Sequence, residues 1–364
     1  MATTPVYGGG NNGYIPSAEA SNKLVVDFVR KPDSFPLNSY VKYIPVNKMV
    51  FNYAKFEVED RMRITDATYR AHYKWQDGAD APTGDSFGEK FSFPLVSCTR
   101  YAEAQRLGWL FAEKAAFSAV EAASAQLAQF MMTLRTQRVA TKLQTTANWP
   151  TANTSAVSSI SGVTGKWDLS TTARSDIKRS LDYGTRIITL ATGGVIKDSD
   201  LLLVLSKRAA EAISQSQEIR DYIKGGPDAK PWIIGKDSPE WRNRAHGLPD
   251  MLYGKEIVIE DTVKATSARG ATRALDYVYD YTKPVIVARP GSLIGASAQS
   301  SDFSTVTVFG YTGSKDGESD GLQDMAVETL EDNVNRRTTV RVVDNTAEDL
   351  TAGLSGFCFS AAIT

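Results

Sequence analysis

Between Ala115 and Leu134 the chain reads AAFSAVEAASAQLAQFMMTL, twenty residues with neither glycine nor proline. A helix of that length can cross a bilayer, so its faces decide what it is. The larger apolar residues Phe117, Val120, Leu127, Met131 and Leu134 keep to steps of three and four, with Ser124 filling the one gap. Ser118, Glu121, Gln126 and Gln129 occupy the other faces, whereas a membrane span is apolar all round. The membrane reading fails. The helical pattern runs from about Tyr101 to Lys142, which at 1.5 Å per residue predicts a helix of about 60 Å. Its stripe covers only about two and a half heptads and puts Ser124 at a knob position, which argues against a coiled coil. The expectation is a long helix laid along an extended sheet.

The text around the helix changes character several times. Residues 1–48 are rich in glycine, asparagine and proline with scattered anchors such as Val25, Val26, Phe28 and Tyr43, and read as an arm. Residues 49–99 alternate, as in KFEVED and EKFSFPLVS, around the polar middle WQDGADAPTGDSFG, which predicts a long hairpin with an exposed tip. Its legs carry Phe56, Val58, Tyr73, Trp75, Phe91 and Phe93. After the helix, a polar stretch ending in SSISGVTG separates two bodies. From Trp167 an α/β pattern begins. A helix starts near Thr171 or Thr172 and stops at Gly193 or Gly194; LLLVLS follows as a strand covered on both faces; Ser206 caps a second helix; and SQEIRDYIKGG closes a third. KEIVIED, ALDYVYDY, KPVIVARPG and the tail read as further strands.

Charge and chemistry narrow the function. The formal net charge is −1, so no global field gathers nucleic acid or anionic lipid. The start, MATTPVYGGGNNGY, lacks the basic and apolar segments of a signal peptide, and the expected location during synthesis is the cytoplasm. Cys98 and Cys358 lie far apart and have neither disulfide-framework nor metal-ligand spacing, so both are expected as buried small hydrophobes. His72 and His246 stand near no nucleophile or ligand cluster. Ser175 and Lys178 form an S-x-x-K without its companion motifs. Asp316, Glu318, Asp320 and Gly321 match the opening of an EF-hand loop, but Val327 stands where the bidentate glutamate belongs. No catalytic, cofactor or metal residues are assigned, and no enzyme activity is expected. Arg135, Arg138 and Lys142 share one face near the end of the long helix. They read either as a phosphate-contacting strip or as cations complementing the helix dipole.

The order arm, hairpin, long helix, α/β body resembles that of the major capsid proteins of tailed bacteriophages, with the Hong Kong 97-like α+β fold. FPLVSCTRYAEAQRLGW leads into a segment similar to the family's spine helix. GKWDLSTTARSDIKRSLDYG, LLLVLSKRAAEAISQSQEIRDYIKG and LPDMLYGKEIVIED resemble its axial domain, and ALDYVYDYTKPVIVAR with RRTTVRVVD complete the match. The resemblance implies an N-terminal arm (1–48), an extended hairpin or E-loop (49–99), a peripheral domain with the spine helix (100–165 and 333–364) and an α/β axial domain (166–332). It implies a virion structural protein closing through pentamers and hexamers into an icosahedral shell around double-stranded DNA. Its partners would be further copies of itself, the packaged DNA, a portal protein, a separately encoded scaffolding protein and a decoration protein, with no membrane. Arg135, Arg138 and Lys142 are then expected to face the lumen and the DNA. Tyr7, Tyr14 and Ile15 of the arm and Tyr73, Trp75, Phe91 and Phe93 of the hairpin are expected between subunits. No cross-link is assigned to Lys74, Lys90, Asn333 or Asn335. The alternatives are an encapsulin-type nanocompartment shell and, from a different class, an α/β small-molecule enzyme.

Overall fold

The computed structural model describes residues 29–56, 77, 91–115, 118–169, 176–225, 248, 251–268, 270–290, 293–294, 301–311 and 326–364. In chain order the first part contains helix α1 (Leu37–Tyr40), strands β1 (Lys42–Val46), β2 (Val50–Asn52), β3 (Lys55–Phe56), β4 (Phe91–Ser92), β5 (Leu95–Ser97) and β6 (Thr99–Gly108), then α2 (Trp109–Lys114), α3 (Ala119–Gln144) and β7 (Thr154–Ala156). The α/β body follows with α4 (Ile177–Ala191), β8 (Leu201–Ser206), α5 (Lys207–Ser214), α6 (Gln217–Gly225), β9 (Met251–Leu252), β10 (Lys255–Glu260), β11 (Val263–Ala265), β12 (Leu275–Tyr277) and β13 (Val285–Ala288). The last strands are β14 (Leu293–Ile294), β15 (Ser301–Asp302), β16 (Thr307–Tyr311), β17 (Ala326–Asp332), β18 (Arg337–Asp349) and β19 (Phe357–Ser360).

Two sheets organise these elements. In the first, the thirteen-residue β18 is the hub. It pairs antiparallel with β6 along one edge and with β17 and β16 along the other, and β1 adds in parallel to β16. The long helix α3 packs on this sheet through Ala119, Ala123, Leu127 and Met131, which meet Leu107, Val340 and Val342. These helix residues recur at steps of four, and two alanines let the helix approach the strands closely. The buried line thus runs through Ala123; Ser124, Val120 and Leu134 lie half-buried beside it. Phe117 falls outside the described residues.

The helix is also shorter than its sequence pattern predicts. It has 26 residues, about 39 Å. Tyr101–Gly108, expected as its opening turns, forms β6 and pairs with β18 along its whole length. YAEAQRLG has good helix formers, but its strand partner lies more than two hundred residues away. Tertiary pairing overrides local propensity here.

The second sheet has the order β7-β19-β13-β8-β10-β9. Its centre, LLLVLS, is fully buried, as a strand covered on both faces must be. Leu201, Leu203 and Leu205 face a cluster with Ile177, Leu181 and Ile188 of α4 and Ala209 and Ile213 of α5. Leu202 and Val204 face the opposite way, toward Phe35, Leu37, Tyr40 and the far half of α3 at Met132, Val139 and Leu143. The long helix therefore spans both cores. Ser206 caps α5, accepting a hydrogen bond from the Ala209 amide at 3.2 Å. At the start of α4 the amides of Ile177 and Lys178 donate to the Glu218 carboxylate at 2.6 and 2.9 Å. Thr171 and Thr172, the expected start, lie outside the described residues. Gly356 sits where a Cβ would come within 2.7 Å of the Ile286 carbonyl oxygen; only glycine fits.

Strand pairing corrects the expected domain boundaries. Thr154–Ala156 and Phe357–Ser360, placed by sequence with the long helix, belong to the α/β sheet. Thr307–Tyr311 and Ala326–Asp332, placed with the α/β body, belong to the sheet under the helix. Sheet membership follows hydrogen-bond partners, and the chain crosses between bodies more often than its composition shifts reveal. The arm is corrected too: Leu37 and Tyr40 are 0% and 1% exposed core residues. The hairpin base is as expected, with β2 paired to β5 and β3 to β4, and its middle lies outside the described residues.

Candidate assembly surfaces and the helix–sheet lock

The strand RVVDNTAED alternates, and its polar parity, Asp344, Thr346 and Glu348, points toward α3. On the helix, Arg135 and Arg138 are three residues apart and share the face that meets them. Arg135 Nη2 lies 2.8 Å from Asp344 Oδ1, and its Nε lies 3.4 Å from Oδ2. Arg138 Nη2 lies 2.8 Å from both Asp344 Oδ2 and Glu348 Oε1, and donates to Thr346 Oγ1 at 2.8 Å. Tyr101 supports Arg138 from the neighbouring strand, its ring centroid 3.9 Å from the guanidinium carbon. Burial pushes the Asp344 carboxyl upward, but Arg135 and Arg138 outweigh it and hold it below the usual carboxylate range.

This corrects the expected phosphate strip. Arg135 is 2% exposed and Arg138 half-buried, and both guanidiniums are engaged by acids of β18. Lys142, one turn further, is exposed. What sequence reasoning missed was the acid set on the strand; polar residues at core parity were the available signal. The helix end is tied down as well. Gln144 Nε2 donates to the carbonyls of Asp280 and Lys283 at 2.8 and 2.9 Å, and its Oε1 accepts from the Asp280 amide at 2.9 Å.

A strap, residues 29–46, crosses from the long helix to the second body. Arg30 anchors its start: the Arg30 amide donates to Gln129 Oε1 at 3.2 Å and its Nη1 meets Asp261 Oδ1 at 2.6 Å. Tyr40 donates to the buried Glu260 Oε2 at 3.0 Å, while Glu260 Oε1 accepts from the Thr262 amide and hydroxyl at 3.2 and 2.5 Å. Burial pushes the Glu260 carboxyl above its ordinary value, and the Thr262 and Tyr40 hydrogen bonds offset only part of that.

The hairpin base presents apolar side chains outward. Phe93 is 63% and Leu95 70% exposed, with Met49 and Val50 also exposed. Tyr73 and Trp75, like Tyr7, Tyr14 and Ile15, lie outside the described residues, and Phe91 is placed only by its strand. His72, His246, Ser175 and the acidic turn 316–325 also lie outside them. Lys178, the lysine of the S-x-x-K pattern, pairs with Asp182 at 2.8 Å on the surface. Cys98 and Cys358 are buried and free, and burial pushes the Cys358 thiol up to about 12. Among the described residues no histidine, cysteine and carboxylate group could hold a metal ion. No described helix is long and apolar enough to cross a membrane.

No protein-family model matches the chain, and no curated protein does. Solved structures do. The capsid of cyanophage P-SCSP1u matches with a TM-score of 0.57 at 10% identity, over 94% of this chain and 92% of that one. The asymmetric unit of the bacteriophage PhiM1 mature capsid matches with a TM-score of 0.55 at 13% identity, over 93% and 90%. The chain has a phage capsid fold. A phage-related protein from Bordetella bronchiseptica RB50 shares it, with a TM-score of 0.55 at 13% identity over 90% of this chain and 91% of that one. Within this capsid fold the Arg135–Asp344–Arg138–Glu348 lock holds the long helix on its sheet, and the strap and Gln144 tie that unit to the α/β body.

Proposed function

We propose that the chain is the major subunit of an icosahedral phage shell enclosing double-stranded DNA. The observation that carries this reading is the match, over nine-tenths of both chains, to the asymmetric unit of a mature phage capsid. A match over 93% of this chain extends well beyond the α/β body, which favours a shell subunit over an enzyme built on that body alone. The exposed apolar base of the hairpin supports it, since Phe93 and Leu95 are largely exposed and such patches mark interaction sites. Subunits meet through pentamers and hexamers, with a portal protein, a separate scaffolding protein and a decoration protein as further partners. The virion is its final location.

Negative-stain electron microscopy and sedimentation of the expressed chain test the reading. Rings or closed shells are the expected result. A stable compact monomer at micromolar concentration and physiological salt would overturn it. A nanocompartment shell is distinguished by content: particles from infected cells should carry duplex DNA rather than enzyme cargo.

A further inference from the structure

The sheet around β18 has two faces of opposite character. Asp344, Thr346 and Glu348 point to the helix, so the residues of opposite parity, Arg337, Thr339, Arg341, Val343 and Asn345, point away from it. Direct cross-strand partners share a face. Arg106 pairs with Thr339 and Arg100 with Asn345, which puts both arginines on that outward face. On β17, Glu328 pairs with Arg341 and Asp332 with Arg337. The outward face therefore carries Arg100, Arg106, Arg337 and Arg341 against Glu328 and Asp332 of β17, with Asp349 at the far end of β18 accepting from the Tyr53 hydroxyl.

The signs are also segregated. All four guanidiniums stand on β6 and β18, whereas Glu328 and Asp332 stand on the β17 edge and Asp349 lies beyond the last arginine row. Each of the β17 acids holds an arginine from one side: Asp332 meets Arg337 at 2.8 Å, and Glu328 meets Arg341 and, at 3.8 Å, Arg100. Arg106 is exposed and pairs with no acid among the described residues. Along the strands Arg337, Arg106 and Arg341 occupy successive cross-strand rows about 7 Å apart, and Arg100 follows two rows further on, about 14 Å away. That row spacing is about two base-pair rises of duplex DNA. Between the arginines of β6 lie only Ala102 and Ala104 on this face, both exposed, while Val343 beside Ala102 is 3% exposed.

We propose that this arginine strip on β6 and β18 binds the phosphate backbone of duplex nucleic acid, without reading its sequence. It takes over the role that the sequence pattern gave to Arg135 and Arg138. The inference rests on the shell reading only for the identity of the duplex, which is then the packaged genome. Guanidinium groups suit phosphate oxygens because their forked donors meet two acceptors at once.

The test uses the full unassembled chain and a labelled 30-base-pair duplex, with affinity measured by fluorescence anisotropy across a salt series. Removing two phosphate contacts in an Arg100→Gln, Arg106→Gln double variant should lower the slope of log K against log salt by about 1.8. An Arg100→Lys, Arg106→Lys variant should retain the slope, which separates lost charge from misfolding. No binding by the wild type, or an unchanged slope in the glutamine variant, overturns the proposal. So does a glutamine variant that keeps its DNA affinity but no longer forms shells, because the face is then a contact between copies. If the wild type forms no shells yet the slope changes as stated, the shell reading fails and the arginine strip stands.

Discussion

Replacing Asp344 by alanine tests the helix–sheet lock most directly. The carboxylate accepts from Arg135 at 2.8 and 3.4 Å and from Arg138 at 2.8 Å, and the side chains of Asp344 and Arg135 are 1% and 2% exposed. Truncation leaves Arg135 charged, buried and without its acid, since a guanidinium does not deprotonate to escape. Breaking one partner of a buried pair costs about 3–5 kcal/mol. Glu348→Gln is the internal comparison: Arg138 keeps Asp344 and is 13% exposed, so the loss should be only about 1.5 kcal/mol. Adding Arg135→Met to Asp344→Ala should recover much of the stability, because it removes the stranded charge. Urea unfolding of the unassembled subunit, followed by circular dichroism, measures all three. The pH dependence has a defined sign. Asp344 is held below its usual range in the fold, so its contribution is present above the ordinary carboxyl value of about 3.9 and is lost as pH falls through the depressed native value. The alanine variant should lack that acid loss. A cost below about 1 kcal/mol for Asp344→Ala, with no recovery on adding Arg135→Met, would refute the lock.

Phe93→Ser with Leu95→Ser should leave subunit stability within about 0.5 kcal/mol, because both side chains are largely exposed, while lowering the yield of shells by sedimentation; normal shell yield would show that the hairpin base is not an assembly contact. Glu260 has a carboxyl raised by burial, so the fold favours its protonated form, and stability should fall as pH rises from about 4.3 through the raised native value. Glu260→Gln should flatten that fall in a pH series of urea midpoints, and an unchanged pH profile would mean that the carboxyl does not titrate in this window.

Much of the α/β body was legible because its signals are local. LLLVLS has no polar residue to turn toward water before its terminal serine, so burial on both faces followed from composition alone, and Ser206 stood at the only sensible cap. The hairpin base was legible from alternation. The start of the long helix was not. Tyr101–Gly108 carries good helix formers, and nothing within the segment announces that β18 claims it as a strand. Arg135 and Arg138 misled in the same way: two cations on one helix face read as a surface strip until Asp344 and Glu348 arrive beside them from another part of the chain.

Short-range pattern therefore determined the helices and strands of the α/β body, the pairing at the hairpin base and the argument against a membrane span, but not the strand Tyr101–Gly108. It could do so because capping, periodicity and turn chemistry act within a few residues. Only the tertiary structure decided which strands share a sheet, why β7 and β19 cross into the α/β body, and whether an arginine meets solvent or a carboxylate. Those outcomes depend on partners more than two hundred residues apart, and a charged side chain's environment is set by what is brought to it in space rather than by its neighbours along the chain.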